Sequence, residues 1–215
     1  MATATTSLKT LADLLRRLGD VPPDRVRLTP PPGTATVQDV IAIEGQEGRL
    51  CELIDGVLLE KCMGYGESAL TGLLLALLHL YNGPRNLGIV TGPDGMIELM
   101  PDLVRIPDIA LVRWERLPSR RRPSSPVPQL VPNLAVEVLS RSNTLGEMAA
   151  KRHDYFAAGV ELVWEIDPDA RTVTVYSSLT DLLKLSAAET LDGGTVLPGF
   201  SIPLAQLFAE LDRQG

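Results

Sequence analysis

One residue constrains this chain more than any other. Glu137 sits inside Leu134-Ala-Val-Glu-Val-Leu139, a strand-like run that is otherwise apolar. A carboxylate buried in a strand is costly to desolvate unless it is ion-paired or bound to a metal. The fold must therefore supply Glu137 with a positive partner. Asp108 poses the same problem in Arg105-Ile-Pro-Asp-Ile-Ala-Leu-Val112, where apolar residues flank it on both sides. Lys151 follows on the next predicted helix.

Side chains alternate faces along a strand. Ala135, Glu137 and Leu139 share one face, and Val136, Val138 and Ser140 the other. Read as one strand, residues 105–112 put Asp108 on a face with Ile106 and Ala110. If the two strands pair, the carboxylates come within the span of one hard cation. Magnesium takes oxygen ligands and is usually held by one or two carboxylates with water and substrate phosphate. It could then activate water and stabilise charge on a scissile phosphate. A nearby lysine would orient or deprotonate the water and offset the developing charge. Two carboxylates and a lysine on consecutive elements of one sheet thus point to metal-dependent phosphodiester cleavage.

Plainer readings compete. Asp108 also fits a strand-end turn after Pro107, with about equal weight. An exposed edge-strand position for Glu137 is disfavoured by its apolar neighbours. Helical spacing aligns Glu147, Lys151 and Tyr155 on one face. Spacing alone favours a Glu147–Lys151 surface pair, worth only tenths of a kcal/mol.

The 215 residues suffice for one domain with extensions, and 45% hydrophobic against 22% charged residues allow a sizeable core. A net charge of −7 argues against a protein coated in nucleic acid. A local basic rim remains open to it: Arg113, Arg116, Arg120, Arg121 and Arg122 form a cluster that is usually a solvated loop but could steer a DNA backbone. Cys51 and Cys62 read as free thiols in a reducing compartment, and with the distant His79 and His153 they make no zinc spacing. The N-terminus carries no signal-like segment, and Leu73–Leu80 is too short to span a bilayer. These features predict a soluble, cytoplasmic protein with no membrane partner.

Apolar spacing predicts a helix over Ser7–Leu18, a Pro-rich loop over 20–35, and a helix starting at Thr36. Residues 1–35 read as an N-terminal helix and linker, and 36–215 as a single domain. Asp55-Gly56 between two apolar runs predicts a two-residue hairpin. Gly66–Leu80 reads as a helix apolar all round, hence buried between layers. Strands are predicted near Gly88–Thr91, Met96–Leu99, Arg105–Val112, Leu134–Ser140, Val160–Ile166, Arg171–Tyr176 and, weakly, Thr195–Leu197. Residues 117–132 read as an exposed loop. Thr144 and Glu147 form a capping-box pattern opening a helix that stops at Gly159. A helix over Pro203–Leu211 closes the chain. The order predicts an α/β fold with a mixed sheet.

A family resemblance sharpens this reading. Pro107-Asp108, then Pro132-Asn-Leu-Ala-Val-Glu137-Val-Leu-Ser140, Ser142-Asn-Thr144, Glu147-Met148, Lys151, Tyr155-Phe-Ala-Ala-Gly159 and Val163-Trp-Glu-Ile-Asp-Pro168 resemble the Uma-type putative restriction endonuclease family of the PD-(D/E)xK superfamily. The Glu52-Leu-Ile-Asp-Gly56 hairpin and Gly199-Phe200 agree, and the resemblance covers roughly residues 35 to 210. It implies a restriction-endonuclease-like mixed sheet flanked by helices, with Mg2+ (or Mn2+) held by Asp108 and Glu137 and a catalytic lysine. In the usual pattern the lysine stands two residues after the glutamate; here that position is Leu139, and the resemblance places the lysine on the helix as Lys151. Glu52, Glu60 and Tyr155 are candidate supporting residues. Solvent-facing hairpin positions are the better reading for Glu52 and Glu60, and packing for Tyr155. Glu67 or Ser68 stands where the family often has a histidine. The implied activity is a metal-dependent DNA endonuclease, with DNA as substrate and a homodimer as the simplest way to cut both strands. The alternative is a catalytically inactive nuclease-fold binding or assembly module.

Overall fold

The computed structural model describes residues 10–214. Its organising piece is the hairpin. Asp55 and Gly56 both take positive φ (51° and 74°), as a two-residue turn between right-twisted strands demands. The turn joins β1 (Cys51–Ile54) to β2 (Val57–Glu60), with Ile54 paired to Val57 and Cys51 to Glu60. Cys51 and Cys62 are free thiols. The hairpin continues through β4 (Ile97–Met100) and β5 (Leu103–Arg105) into a small antiparallel sheet of order β2-β1-β5-β4. Helix α2 (Val37–Glu47) covers it, burying Val40 and Ile43 against Leu53, Leu58 and Val104.

The larger sheet contains β3 (Gly88–Thr91), β6 (Ile109–Arg113), β7 (Leu134–Val138), β8 (Leu162–Asp167), β9 (Thr172–Tyr176) and β10 (Leu182–Ser186), in the order β10-β9-β8-β7-β6-β3. β7 and β8 run parallel and their neighbours antiparallel, so the sheet is mixed as expected. Parallel neighbours need a crossover, and α4 (Leu145–Ala158) provides it. On the opposite face α3 (Tyr65–Arg85) packs Leu70, Leu74 and Leu78 against Leu134, Val136, Val138 and Trp164. A small ribbon of β11 (Thr190–Asp192) and β12 (Ser201–Pro203), followed by α5 (Leu204–Phe208), closes that layer.

Several expectations are corrected. Residues 105–112 are not one strand: β5 ends at Arg105 in the small sheet, β6 begins at Ile109 in the large one, and Ile106-Pro-Asp108 crosses between them. Pro107 lacks an N–H for a ladder, which makes the crossing natural there. Helix α3 is not buried all round; Tyr65 and Leu80 face outward. Residues 195–197 form a turn between β11 and β12 rather than a strand. Among the described residues no helix is long and apolar enough to cross a membrane.

At the N-terminal end, Ser7 and Leu8 of the expected helix lie outside the described residues. Helix α1 (Leu11–Arg17) is capped by Thr10, whose amide and hydroxyl both donate to Asp13. Leu14, Leu18, Val21 and Val26 then pack on Val57 and Leu59 of the hairpin. Arg25 reaches α4 and grips Glu147 with two hydrogen bonds, of 3.0 and 2.8 Å, both side chains being buried. This overturns two local expectations. Thr144 does cap α4 by accepting the Glu147 amide at 3.0 Å, but the Glu147 carboxylate turns to Arg25 and Asn143 instead of closing a capping box. It therefore makes no surface pair with Lys151. Gly19 and Gly146 let the two backbones touch: a Cβ on Gly146 would lie 2.6 Å from the Gly19 carbonyl oxygen.

Removing one partner of a buried ion pair leaves the other uncompensated, at a cost of roughly 3–5 kcal/mol. Arg25→Ala is accordingly expected to lower stability by about that amount in urea denaturation. A loss within about 0.5 kcal/mol, typical of surface changes, would show that the N-terminal segment is not anchored through Glu147.

Candidate active site

Asp108 is fixed by the backbone on either side of Glu137. Its amide donates to the Val136 carbonyl at 2.9 Å, and its Oδ2 accepts the Val138 amide at 2.7 Å. The crossover after Pro107 thus lays Asp108 beside Glu137, joining the turn and strand readings of the sequence. Both carboxylates are buried.

Two lysines compensate them. Lys61, just beyond β2, places Nζ 2.8 Å from Asp108 Oδ1 and donates to the carbonyls of Ile106 (2.7 Å) and Pro93 (3.1 Å). Lys151, on the inner face of α4, lies 3.0 Å from Glu137 Oε2 and 3.1 Å from Glu52 Oε1. One turn on, the Tyr155 hydroxyl donates to Glu137 Oε1 at 2.5 Å. Glu52 is 1% exposed, not solvent-facing, because its register partner Leu59 belongs to the buried face of the hairpin. It accepts from the Ile106 amide (3.2 Å) and from Arg105 (2.7 Å), and Arg105 also binds Asp154 (2.5 Å).

Glu52, Asp108, Glu137 and Asp154 therefore face Lys61, Arg105 and Lys151, one negative charge in excess when all are ionised. The excess falls on Glu137. Burial raises its pKa to about 7, and the charges of Asp108 and Glu52 add to this against the pull of Lys151. For Glu52, burial is outweighed by Lys151 and Arg105, which bring its pKa down to about 2. For Lys151, burial is outweighed by Glu137 and Glu52, so its pKa is raised and it stays an ammonium. Tyr155 is raised by burial and then by Glu137, which keeps it a donor.

In type, Asp108 Oδ1 and Glu137 Oε2 are the hard oxygens a divalent cation takes, and each now accepts from a lysine ammonium. Among the described residues, no three His, Cys, Asp or Glu side chains are grouped to hold a metal; the acids are arranged around the lysines. A cation there would take two carboxylates and complete its shell with water and substrate oxygens, as magnesium commonly does.

The other sequence candidates stand elsewhere. Glu60 turns outward to Arg27 (2.8 Å) and Arg49 (3.4 Å). The arginine cluster begins at the far end of β6 from Asp108. Arg113 there donates to the carbonyls of Thr195 and Val196, Arg116 binds backbone carbonyls and Glu161, and Arg120, Arg121 and Arg122 are exposed. His79 and His153 are exposed on their helices. Sequence reading passed over Lys61, Arg105 and Asp154. For Lys61 a signal existed: alternation along β2 puts it on the face of Val57 and Leu59, where a lysine needs a buried anion.

Tyr155→Phe strips Glu137 Oε1 of its donor without opening a cavity. We expect a loss of about 1–3 kcal/mol in chemical denaturation, the cost of leaving a buried acceptor unsatisfied. An unchanged midpoint would mean that water replaces the hydroxyl and the site is wetter than its burial indicates.

The family model described as "Uma2: Putative restriction endonuclease" matches residues 37–205. A solved structure of a putative nuclease from Anabaena variabilis ATCC 29413 aligns with a TM-score of 0.67 at 20% identity, covering 75% of this chain and 91% of that one. At that identity the likeness is one of fold. No curated protein matches. The family match takes in the hairpin with Glu52 and Lys61, the crossover with Asp108, β7 with Glu137 and α4 with Lys151, and the chain belongs to the Uma2 putative restriction endonuclease family.

Proposed function

We propose that the chain is a divalent-metal-dependent endonuclease that hydrolyses phosphodiester bonds in DNA. The observation that carries this reading is the placement of Asp108 beside Glu137, with the Lys151 ammonium bound to Glu137, in a buried cluster with excess negative charge. Asp108 and Glu137 would hold Mg2+ or Mn2+. When bound, such an ion supplies Lewis acidity at the phosphate and lowers the pKa of a bound water.

The protein's own groups have separable tasks. Glu137 and Glu52 favour the ammonium form of Lys151, which suits it to offset phosphate charge and orient water. Glu52 and Arg105 position Lys151 from below, and Tyr155 orients Glu137. A groove lies at the C-terminal ends of β7 and β8, lined by Glu67, Ser140, Arg141, Asn143, Thr144 and Asp167. Ligands of parallel-strand sheets commonly enter at such strand ends. We assign the groove to the DNA backbone, with Arg141 as its cation. Asp169 also lines it and pairs with Arg141 at 3.6 Å, so a DNA backbone entering there would have to draw Arg141 away from Asp169. The reading extends to a cytoplasmic homodimer, in which two copies would cut the two strands.

An inactive nuclease-fold binding module is the second reading. It draws on one observation: the carboxylate oxygens of Asp108 and Glu137 are all engaged by protein donors, with no three-acid group poised for a metal among the described residues.

Plasmid nicking with Mg2+ or Mn2+ separates the two readings. Asp108→Asn and Glu137→Gln are expected to remove metal-dependent nicking, and Lys151→Met to reduce it about 10²–10³-fold, with circular dichroism unchanged. Nicking that survives Asp108→Asn at the wild-type rate would sink the assignment. No nicking by wild type on plasmid, single-stranded or branched DNA would move the conclusion to the binding module.

A further inference from the structure

We propose that Lys61 is a built-in competitor for the metal, an internal cation that occupies Asp108 in the resting protein and must leave before a divalent ion can bind. The inference rests on the metal-site reading above and adds a control to that site.

The geometry is that of a specific seat. An ammonium has three donors. Those of Lys61 meet Asp108 Oδ1 (2.8 Å), the Ile106 carbonyl (2.7 Å) and the Pro93 carbonyl (3.1 Å). The side chain is 9% exposed. Asp108 Oδ2 is already committed to the Val138 amide, so Oδ1 is the oxygen left for a cation, and Lys61 is on it. An ammonium and a divalent ion on one carboxylate oxygen repel strongly in a buried setting, so occupancy by one opposes the other.

Lys61 differs from Lys151 in how it is held. Lys151 rises from the middle of α4 and bridges two acids, Glu137 and Glu52. Lys61 is the first residue past β2. Its own amide is pinned to the Leu50 carbonyl at 2.9 Å, while Cys62, Gly64 and Tyr65 after it are exposed. On this proposal the four-carbon stem leaves toward that exposed stretch, with the strand-end backbone staying fixed. Of the cluster's three cations, only Lys61 is bonded to Asp108. Removing the competitor makes the acids more available, so a neutral residue at position 61 should tighten metal binding. A residue serving only catalysis or packing would leave affinity unchanged or weaken it.

The test is Mn2+ titration by calorimetry into the full-length wild type and into Lys61→Met, Lys61→Gln and Lys61→Arg, each followed by plasmid nicking. Lys61→Gln retains donors for the two carbonyls and serves if Lys61→Met does not fold. We expect the neutral variants to bind Mn2+ about 10- to 100-fold tighter than wild type, the range over which neighbours of metal ligands usually act. Lys61→Arg, which keeps the charge, should stay near wild type. Adding Asp108→Asn to a neutral variant should abolish the gain. Apo Lys61→Gln should melt below wild type, because Asp108 loses its counter-charge, and Mn2+ should raise its melting temperature more than that of wild type. Equal or weaker Mn2+ binding in the neutral variants overturns the proposal. Metal-dependent nicking by wild type in that case leaves the nuclease reading standing. Tighter binding without nicking by any protein would instead support the competitor and remove the nuclease.

Discussion

Two carboxylates side by side in a protein interior repel each other and lose their hydration, and everything distinctive about this structure follows from offsetting that penalty. Asp108 and Glu137 remain buried because Lys61 and Lys151 reach them from two different elements, and backbone amides and a tyrosine hydroxyl take the remaining oxygens. Breaking any one of these contacts strands a charge, so the hairpin, the crossover, β7 and α4 are held in one arrangement by electrostatics as much as by packing. The surplus negative charge left over is what singles the cluster out as a candidate site.

Helix α4 is the element through which the rest of the molecule acts on that cluster. Its inner face carries Glu147, Lys151 and Tyr155 one turn apart. Lys151 and Tyr155 address Glu137, while Glu147 is clamped by Arg25 from the N-terminal segment. The same face thus links the outer packing of α1 and the hairpin to the position of the lysine. Arg105 plays the matching part on the other side, tying Glu52 of the hairpin to Asp154 of α4 across the base of the site.

Period-two apolar runs and the Asp55-Gly56 turn make the hairpin and β7 legible directly, and the mixed sheet follows from their order. Glu137 is legible for the same reason: an acid in such a run has no cheap alternative. Glu52 and Lys61 are harder, because a short hairpin is normally half solvated and only the sheet stacked behind it shows that both its faces are covered. The break at Ile106-Pro-Asp108 was hidden because apolar residues continue through it. Local propensity carries no information about which of two sheets a strand joins. Glu147 was misread because a capping box and a distant ion pair use the same side chain, and only the fold decides which partner is nearer.

What the sequence determined by itself is the chemistry available: acids in apolar runs, a lysine on the following helix, and a family pattern running through them. Tertiary structure decided the pairing. Whether Lys151 meets Glu147 on a surface or Glu137 in the interior, and whether Lys61 lies in solvent or on Asp108, depends on how α4 and the hairpin close over the sheet. That closure is a long-range result of burial and ion pairing among residues far apart in the chain, and no local spacing encodes it.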